Sequence, residues 1–80
     1  MTLFFSVTFE GSPYRHTSPV EYFKDVSDNY EPHKDAMVNL CKSGLMKRLK
    51  VWNQKPHQIE SAQFFFWKDG KEITFFEWRK

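Results

Sequence analysis

The feature that most constrains this chain is a hairpin pattern near its C-terminal end. Asp69-Gly70 lies between two runs that are rich in aromatic residues, 64–67 and 73–76. A two-residue Asp-Gly connection favours a type I′ turn, because both central residues must adopt positive φ. Such a turn sets the register, since each residue before it is paired with one after it. The sequence therefore predicts an antiparallel β-hairpin with a defined partner for each side chain.

The predicted register divides the aromatic side chains between the two faces of the hairpin, because successive residues of a strand alternate. One face is entirely apolar and carries Phe64, Phe66, Ile73 and Phe75, with Phe64 opposite Phe75. The other face carries four more aromatic residues among polar ones: Phe65, Trp67, Phe76 and Trp78 beside Gln63, Glu72 and Thr74. One apolar face is enough to pack on a core, so the second aromatic group requires another explanation.

Residues 2–10 alternate between apolar and polar side chains, which predicts a first strand. Its apolar side chains are Leu3, Phe5, Val7 and Phe9. Phe4 departs from the alternation and is expected on the polar side of the sheet. Gly11-Ser12-Pro13 is expected to end this strand.

Ser18 to Glu21 has the pattern of a helix start. Ser18 can cap, Pro19 suits the first helical position, and Glu21 completes a capping box. A short helix is therefore expected from Ser18 to about residue 28 or 29.

A second helix is expected from about Pro32, because apolar residues between 37 and 45 recur at helical spacing. Gly44 leaves two alternatives. It lies inside a helix that continues to Trp52, or it ends the helix, in which case residues 47–51 begin an extra strand. The good helix formers after Gly44 favour the continuous helix.

These elements predict a single small α+β domain over residues 1–80, with the order β-α(α)-β-β. The sheet has three strands, or four if the extra strand forms, and the helices pack on one face. A right-handed crossover is expected to return the chain parallel to the first strand, with the last strand inserted between them. The predicted core comprises Leu3, Phe5, Val7, Phe9, Phe23, Val26, Val38, Cys41, Leu45, Leu49, Phe64, Phe66, Ile73 and Phe75.

Composition indicates a cytoplasmic protein without a membrane segment. The single cysteine, Cys41, excludes a disulfide within the chain and suits a reducing compartment. The sequence contains no signal pattern and no apolar run of the roughly 18–20 residues that a membrane span needs.

Catalysis is not expected, and neither is a metal or a cofactor. The three histidines, His16, His33 and His57, lack metal-ligand spacing to one another or to Cys41. The three glycines are each explained by a turn or a helix, so that no glycine-rich phosphate loop is present. The sequence therefore favours a binding protein over an enzyme.

The second aromatic face has three explanations. It could contact a protein partner, a homodimer included; it could stack the bases of RNA or single-stranded DNA; or it could be covered by a helix segment or the loop at 11–17, with Tyr14. Protein contact is favoured, and the predicted partner-binding residues are Phe4, Phe65, Trp67, Phe76 and Trp78. Nucleic acid would also need cations for its phosphates, and the candidates are Lys47, Arg48, Lys50, Lys68, Lys71, Arg79 and Lys80.

The sequence thus predicts a small non-catalytic binding protein that regulates or inhibits a macromolecular partner. Its size and aromatic excess resemble the accessory proteins of bacteriophages, which inhibit or redirect host machinery. That resemblance is compositional and rests on no motif. The alternative function is RNA or single-stranded DNA binding through the sheet aromatics and the basic end of the helix.

Overall fold

A computed structural model describes all 80 residues. A single α-helix lies across one face of a four-stranded antiparallel sheet, which confirms the α+β class and the larger of the two expected strand numbers, although the fourth strand is not the one predicted. The elements in chain order are β1 (Thr2–Phe9), β2 (His16–Tyr22), a 3-10 turn (Glu31–His33), α1 (Lys34–Trp52), a second 3-10 turn (Pro56–Gln58), β3 (Ile59–Lys68) and β4 (Lys71–Arg79).

The prediction of a helix at Ser18 is wrong, because this segment is strand β2. It pairs antiparallel with β1, and Ser18 lies opposite Phe5. Pairing with the preceding strand here prevails over the local capping signal. Pro19 is compatible with the strand because β2 lies at the sheet edge, where a missing N–H is tolerated.

The predicted strand arrangement is also wrong. The order across the sheet is β2-β1-β3-β4, so the last strand lies at an edge and not between the others. β3 runs antiparallel to β1. Because β2 reverses the chain before α1 begins, the helix returns the chain in the opposite sense from the expected crossover. The fourth strand is β2, and residues 47–51 belong to the helix.

Helix α1 continues through Gly44 to Trp52, as the favoured alternative predicted. Asn53 then ends it in the left-handed conformation, with φ of 57°. A Cβ atom at Gly44 would lie 2.6 Å from Cγ1 of Val20 in β2. The glycine is therefore explained by the close approach of the helix to the edge strand.

The Asp69-Gly70 turn forms as predicted, with φ of 52° and 75°. The register beyond the turn differs from the predicted one, because β4 contains a bulge. Phe65 lies opposite Thr74, but Phe64 lies opposite Phe76 and not Phe75. Two consecutive residues of β4, Phe75 and Phe76, therefore oppose Phe64 of β3. From Phe76 onward, each side chain of β4 lies on the face opposite to the one predicted.

The core between α1 and the sheet contains most of the predicted residues. The buried side chains in this cluster are Leu3, Phe5, Val7, Met37, Cys41, Leu45, Leu49, Ile59, Ala62, Phe64, Phe66 and Phe75. Phe9, Phe23, Val38 and Ile73 are partly buried against it. The prediction omitted Met37, Ile59 and Ala62, and it included Val26, which lies outside the cluster.

Replacing Gly44 by alanine tests the contact between α1 and β2. Alanine favours a helix by about 1 kcal/mol, but overpacking against Val20 costs about 1–3 kcal/mol. We expect Gly44→Ala to lower the free energy of unfolding in urea by about 1 kcal/mol, and Val20→Ala in the same chain to recover part of the loss. Ser43→Ala, at the exposed neighbouring position, is the control. A Gly44→Ala variant that is more stable than the wild type would contradict this packing.

Candidate functional site

The five predicted partner-binding residues lie on two different faces of the sheet. Phe4, Phe65 and Trp67 are on the face opposite α1, hereafter the open face. Because of the bulge, Phe76 and Trp78 are on the helix face. The predicted grouping of all five on one surface is therefore wrong, and each face has to be considered separately.

Arg15 covers the middle of the open face. Its guanidinium carbon lies 5.3 Å from the centre of the Phe65 ring. The same guanidinium donates to Oε1 of Glu72 at 3.0 Å and to Oε1 of Gln63 at 3.3 Å. A cation over an aromatic face is attracted by the ring quadrupole. Phe65 is consequently only 1% exposed, although it belongs to the face without a helix.

Phe4 and Trp67 flank the Phe65 ring. Phe4 stacks on it with a centroid distance of 5.4 Å, and Trp67 meets it edge-on at 6.3 Å. Trp67 remains 52% exposed beside the hairpin turn. The loop that precedes β2 thus supplies the predicted cover, but through Arg15, whereas Tyr14 is 73% exposed. What remains on the open face is a mainly polar surface with the exposed Trp67 ring beside the hairpin turn and the exposed Tyr22 ring at the β2 edge.

On the helix face, α1 crosses the sheet obliquely. Near the start of the helix, Tyr30 contacts Phe66 of β3, with ring centroids 5.5 Å apart. At its end, Trp52 contacts Phe9 of β1 and His16 of β2, at 6.2 and 5.6 Å. The helix therefore moves away from β4 along its length, and the C-terminal part of β4 has no helix above it.

The space beside the helix is an open apolar groove of about 280 Å³, hereafter the groove. Its lining residues come from α1, the second 3-10 turn, β3 and β4: Lys42, Leu45, Pro56, Ile59, Ala62, Phe64, Phe76 and Trp78. Phe76 stacks on Phe64 with a centroid distance of 4.8 Å and forms the floor. Trp78 is 44% exposed, so a large apolar ring meets solvent at the edge of the groove.

Lys42 is the charged residue that lines the groove. Its Nζ lies 5.7 Å from the centre of the Phe76 ring, which is within the range of a cation–π contact. Lys55 precedes Pro56 along the chain. The groove therefore combines apolar walls with one cation inside and a second next to a wall residue.

The seven candidate phosphate-binding cations do not form one strip. Lys47 and Arg48 line a hollow beside β2, on the other side of α1 from the groove, and Lys50 is exposed on the helix. Lys68 forms an ion pair with Asp28 at 2.5 Å, close to the hairpin turn that Lys71 follows. Lys80, next to Arg79, pairs with Glu10 at the opposite end of the hairpin. They thus lie at three separate places, two of them with carboxylates as partners.

The titratable side chains contribute to packing and loop structure. His16 and His33 pack against aromatic rings, and burial raises the pKa of the Cys41 thiol to about 12. Hydrogen bonds from the backbone N–H and the hydroxyl of Ser27 lower the pKa of Asp25. The hydrogen bond to Asp28 raises the pKa of Lys68. No three His, Cys, Asp or Glu side chains are grouped as metal ligands.

Comparison with protein-family models, with curated proteins and with solved structures found no match for this chain. None of its helices has the length and apolar character required to span a membrane.

The sequence did not predict that Leu45, Pro56 and Ile59 would line the same groove as Trp78. A signal for the bulge is nevertheless present in β4. The polar residues fall on even positions at Glu72 and Thr74, and on odd positions at Glu77 and Arg79. This change of phase between 74 and 77 is typical of an extra residue in a strand.

Replacing Arg15 by alanine tests the cover of the open face. The variant loses a surface ion pair and a cation–π contact, which together contribute about 1 kcal/mol. We expect the free energy of unfolding in urea to fall by about that amount. Arg48→Ala is the matched control, because Arg48 forms no ion pair. Equal stabilities of the two variants would show that Arg15 does not hold the Phe65 ring under cover.

Proposed function

We propose that the chain is a non-catalytic binding protein that regulates or inhibits a protein partner by docking an apolar segment of that partner in the groove. The observation that carries this proposal is the half-exposed Trp78 beside the apolar floor formed by Phe76 and Phe64. Exposed apolar surfaces next to polar rims are typical of protein interaction sites.

Trp78 has the character of an interface hot spot. Such residues are enriched in tryptophan, lie in well-packed pockets and become fully desolvated when the partner binds. Leu45, Pro56 and Ile59 provide a wall against which an inserted side chain would lose its contact with water. An aliphatic or aromatic side chain of the partner fits this environment.

The charges around the groove favour a segment with carboxylates beside its apolar anchor. Lys42 lines the groove, and Lys55 is adjacent in sequence to its wall residue Pro56. Complementary charges raise the association rate and select among partners. We propose a partner segment in which Asp or Glu flanks an apolar side chain.

We propose that this interaction takes place in the cytoplasm. A single cysteine held as a buried, neutral thiol is consistent with a reducing compartment. Inhibition of a larger assembly by occupying one of its surfaces, as bacteriophage accessory proteins do, is the form of regulation that we propose.

Selection from a library of displayed random peptides tests this function. We expect enrichment of peptides with an aromatic or aliphatic anchor next to Asp or Glu. Trp78→Ala should weaken a selected peptide by about thirtyfold, since a hot-spot residue contributes about 2 kcal/mol or more. Trp67→Ala is the matched control, because Trp67 is slightly more exposed than Trp78 but lies on the open face. Lys42→Glu should weaken acidic peptides and leave the fold unchanged by circular dichroism.

Equal losses in the Trp67 and Trp78 variants would contradict docking in the groove. A separate titration with random single-stranded RNA at two salt concentrations tests the alternative function. Binding that falls steeply with salt, and that depends on Trp78 in the absence of any selected peptide, would replace the proposed protein partner by nucleic acid.

A further inference from the structure

The sheet has two free edges, and they differ in character. β2 forms one edge and contains Pro19, which interrupts its row of N–H donors. β4 forms the other edge, runs from Lys71 to Arg79 and contains no proline. A long edge without proline exposes backbone donors and acceptors that can pair with another strand.

The backbone groups that β4 leaves free are set by its pairing with β3. Next to a two-residue turn, Lys68 and Lys71 form a hydrogen-bonded pair, and bonded residues then alternate. At the other end, the N–H of Lys80 donates to the carbonyl of Glu60 at 2.9 Å. Counting inward from both ends, the residues whose N–H and C=O groups point away from β3 are Glu72, Thr74, Glu77 and Arg79.

The bulge makes these outward residues symmetric about the middle of the strand. Glu72 and Thr74 lie on one side of the Phe75–Phe76 step, and Glu77 and Arg79 lie on the other side. All four side chains are on the open face. A strand with this pattern can pair with an inverted copy of itself, with outward groups meeting outward groups and faces matched.

In one antiparallel register, outward groups meet outward groups and the faces match along the whole strand. It places Thr74 opposite Glu77, and Glu72 opposite Arg79, of a second copy. On the helix face it places Ile73 opposite Trp78. A register displaced by two residues would set Glu72 opposite Glu77, which brings like charges together and mismatches the faces at the bulge.

The side chains in the matched register are complementary. The two-fold axis generates two Glu72–Arg79 pairs. Arg79 forms no ion pair within its own chain, and Glu72, whose Oε1 accepts from Arg15, has its Oε2 left for this contact. Ile73 would cover part of the exposed Trp78 ring. Lys71 would face Lys80 at the ends, where Lys80 already pairs with Glu10.

From this symmetry we infer that β4 is the interface of a homodimer, in which two copies pair their β4 strands antiparallel about the bulge and form one continuous eight-stranded sheet. The occupant of this edge is a second copy of the chain. The edge pairs through backbone groups that the groove does not use, and the dimer and the proposed docking share only Trp78, which Ile73 of the second copy would contact.

Sedimentation equilibrium from about 10 μM to about 1 mM gives the first test. We expect the mass to rise from the monomer value of 9.7 kDa to twice that value. A monomer throughout this range would overturn the proposal.

A disulfide between two variants, each with one added surface cysteine, tests the register. Thr74→Cys and Glu77→Cys are mixed with oxidised glutathione, which is reduced as the two thiols join. Opposite residues in an antiparallel pair have Cα atoms about 5.5 Å apart, within disulfide range. We expect the mixed disulfide as the main product by mass spectrometry. The buried Cys41 thiol should stay reduced.

The control mixture contains Glu72→Cys and Glu77→Cys, which are opposite only in the displaced register. We expect it to react at least tenfold more slowly. Equal rates in the two mixtures, or a statistical mixture of all disulfides, would overturn pairing in the matched register even if a dimer is present.

Charge reversal gives a third readout. Arg79→Glu places like charges opposite Glu72 twice in each dimer, and we expect about a tenfold or greater rise in the dimer dissociation constant. Arg48→Glu is the control, because it makes the same charge change away from β4. A dimer that is unaffected by Arg79→Glu, or weakened equally by Arg48→Glu, would overturn the proposed interface.

Discussion

The bulge opposite Phe64 is the local constraint on which the rest of this structure depends. It lets Phe75 and Phe76 both reach the helix face, where each packs on Phe64. A regular hairpin would place Phe76 and Trp78 on the open face. The extra residue thus moves two large rings from one surface of the sheet to the other. The apolar groove exists because these rings arrive where α1 no longer covers the sheet.

The surplus aromatic side chains are accommodated differently on the two faces of the sheet. On the open face, Arg15 lies over Phe65 and joins Glu72 and Gln63 into one polar layer. That layer lets an 80-residue chain bury a ring without a second helix. On the helix face, the oblique path of α1 leaves Trp78 beside the groove. The bulge also divides β4 into two halves with the same pattern of outward-facing residues. The free edge can therefore pair with a second copy about a two-fold axis.

Local signals in the sequence predicted those elements that depend on local physics. The Asp69-Gly70 turn, the alternation of β1 and the helical spacing in α1 each depend on residues close together in the chain. β2 was mispredicted because Ser18 to Glu21 matches a helix start, whereas its pairing with β1 is a tertiary interaction. The wrong strand order followed from that error, since a helix in place of β2 leaves the chain running in the other direction.

The sequence singled out aromatic candidates but did not place them. Trp67 and Trp78 were both candidate partner-binding residues, and both are exposed in the structure. Their assignment to one face failed because Phe75 and Phe76 are adjacent, so that the apolar residues of β4 satisfy a period of two in either register. The contact of Arg15 with Glu72 joins residues that are 57 positions apart, and no local pattern specifies it. The signal present in the sequence is the shift of the polar residues of β4 from even to odd positions, which indicates the bulge.

The environment of the Trp78 indole tests the position of the bulge most directly. In a solution NMR spectrum, nuclear Overhauser effects from the indole protons identify the side chains within about 5 Å. The bulged strand predicts contacts from Trp78 to Ala62, which lies opposite it in β3 on the helix face. Contacts to Ser61 and Gln63 with none to Ala62 would place Trp78 on the open face and contradict the account.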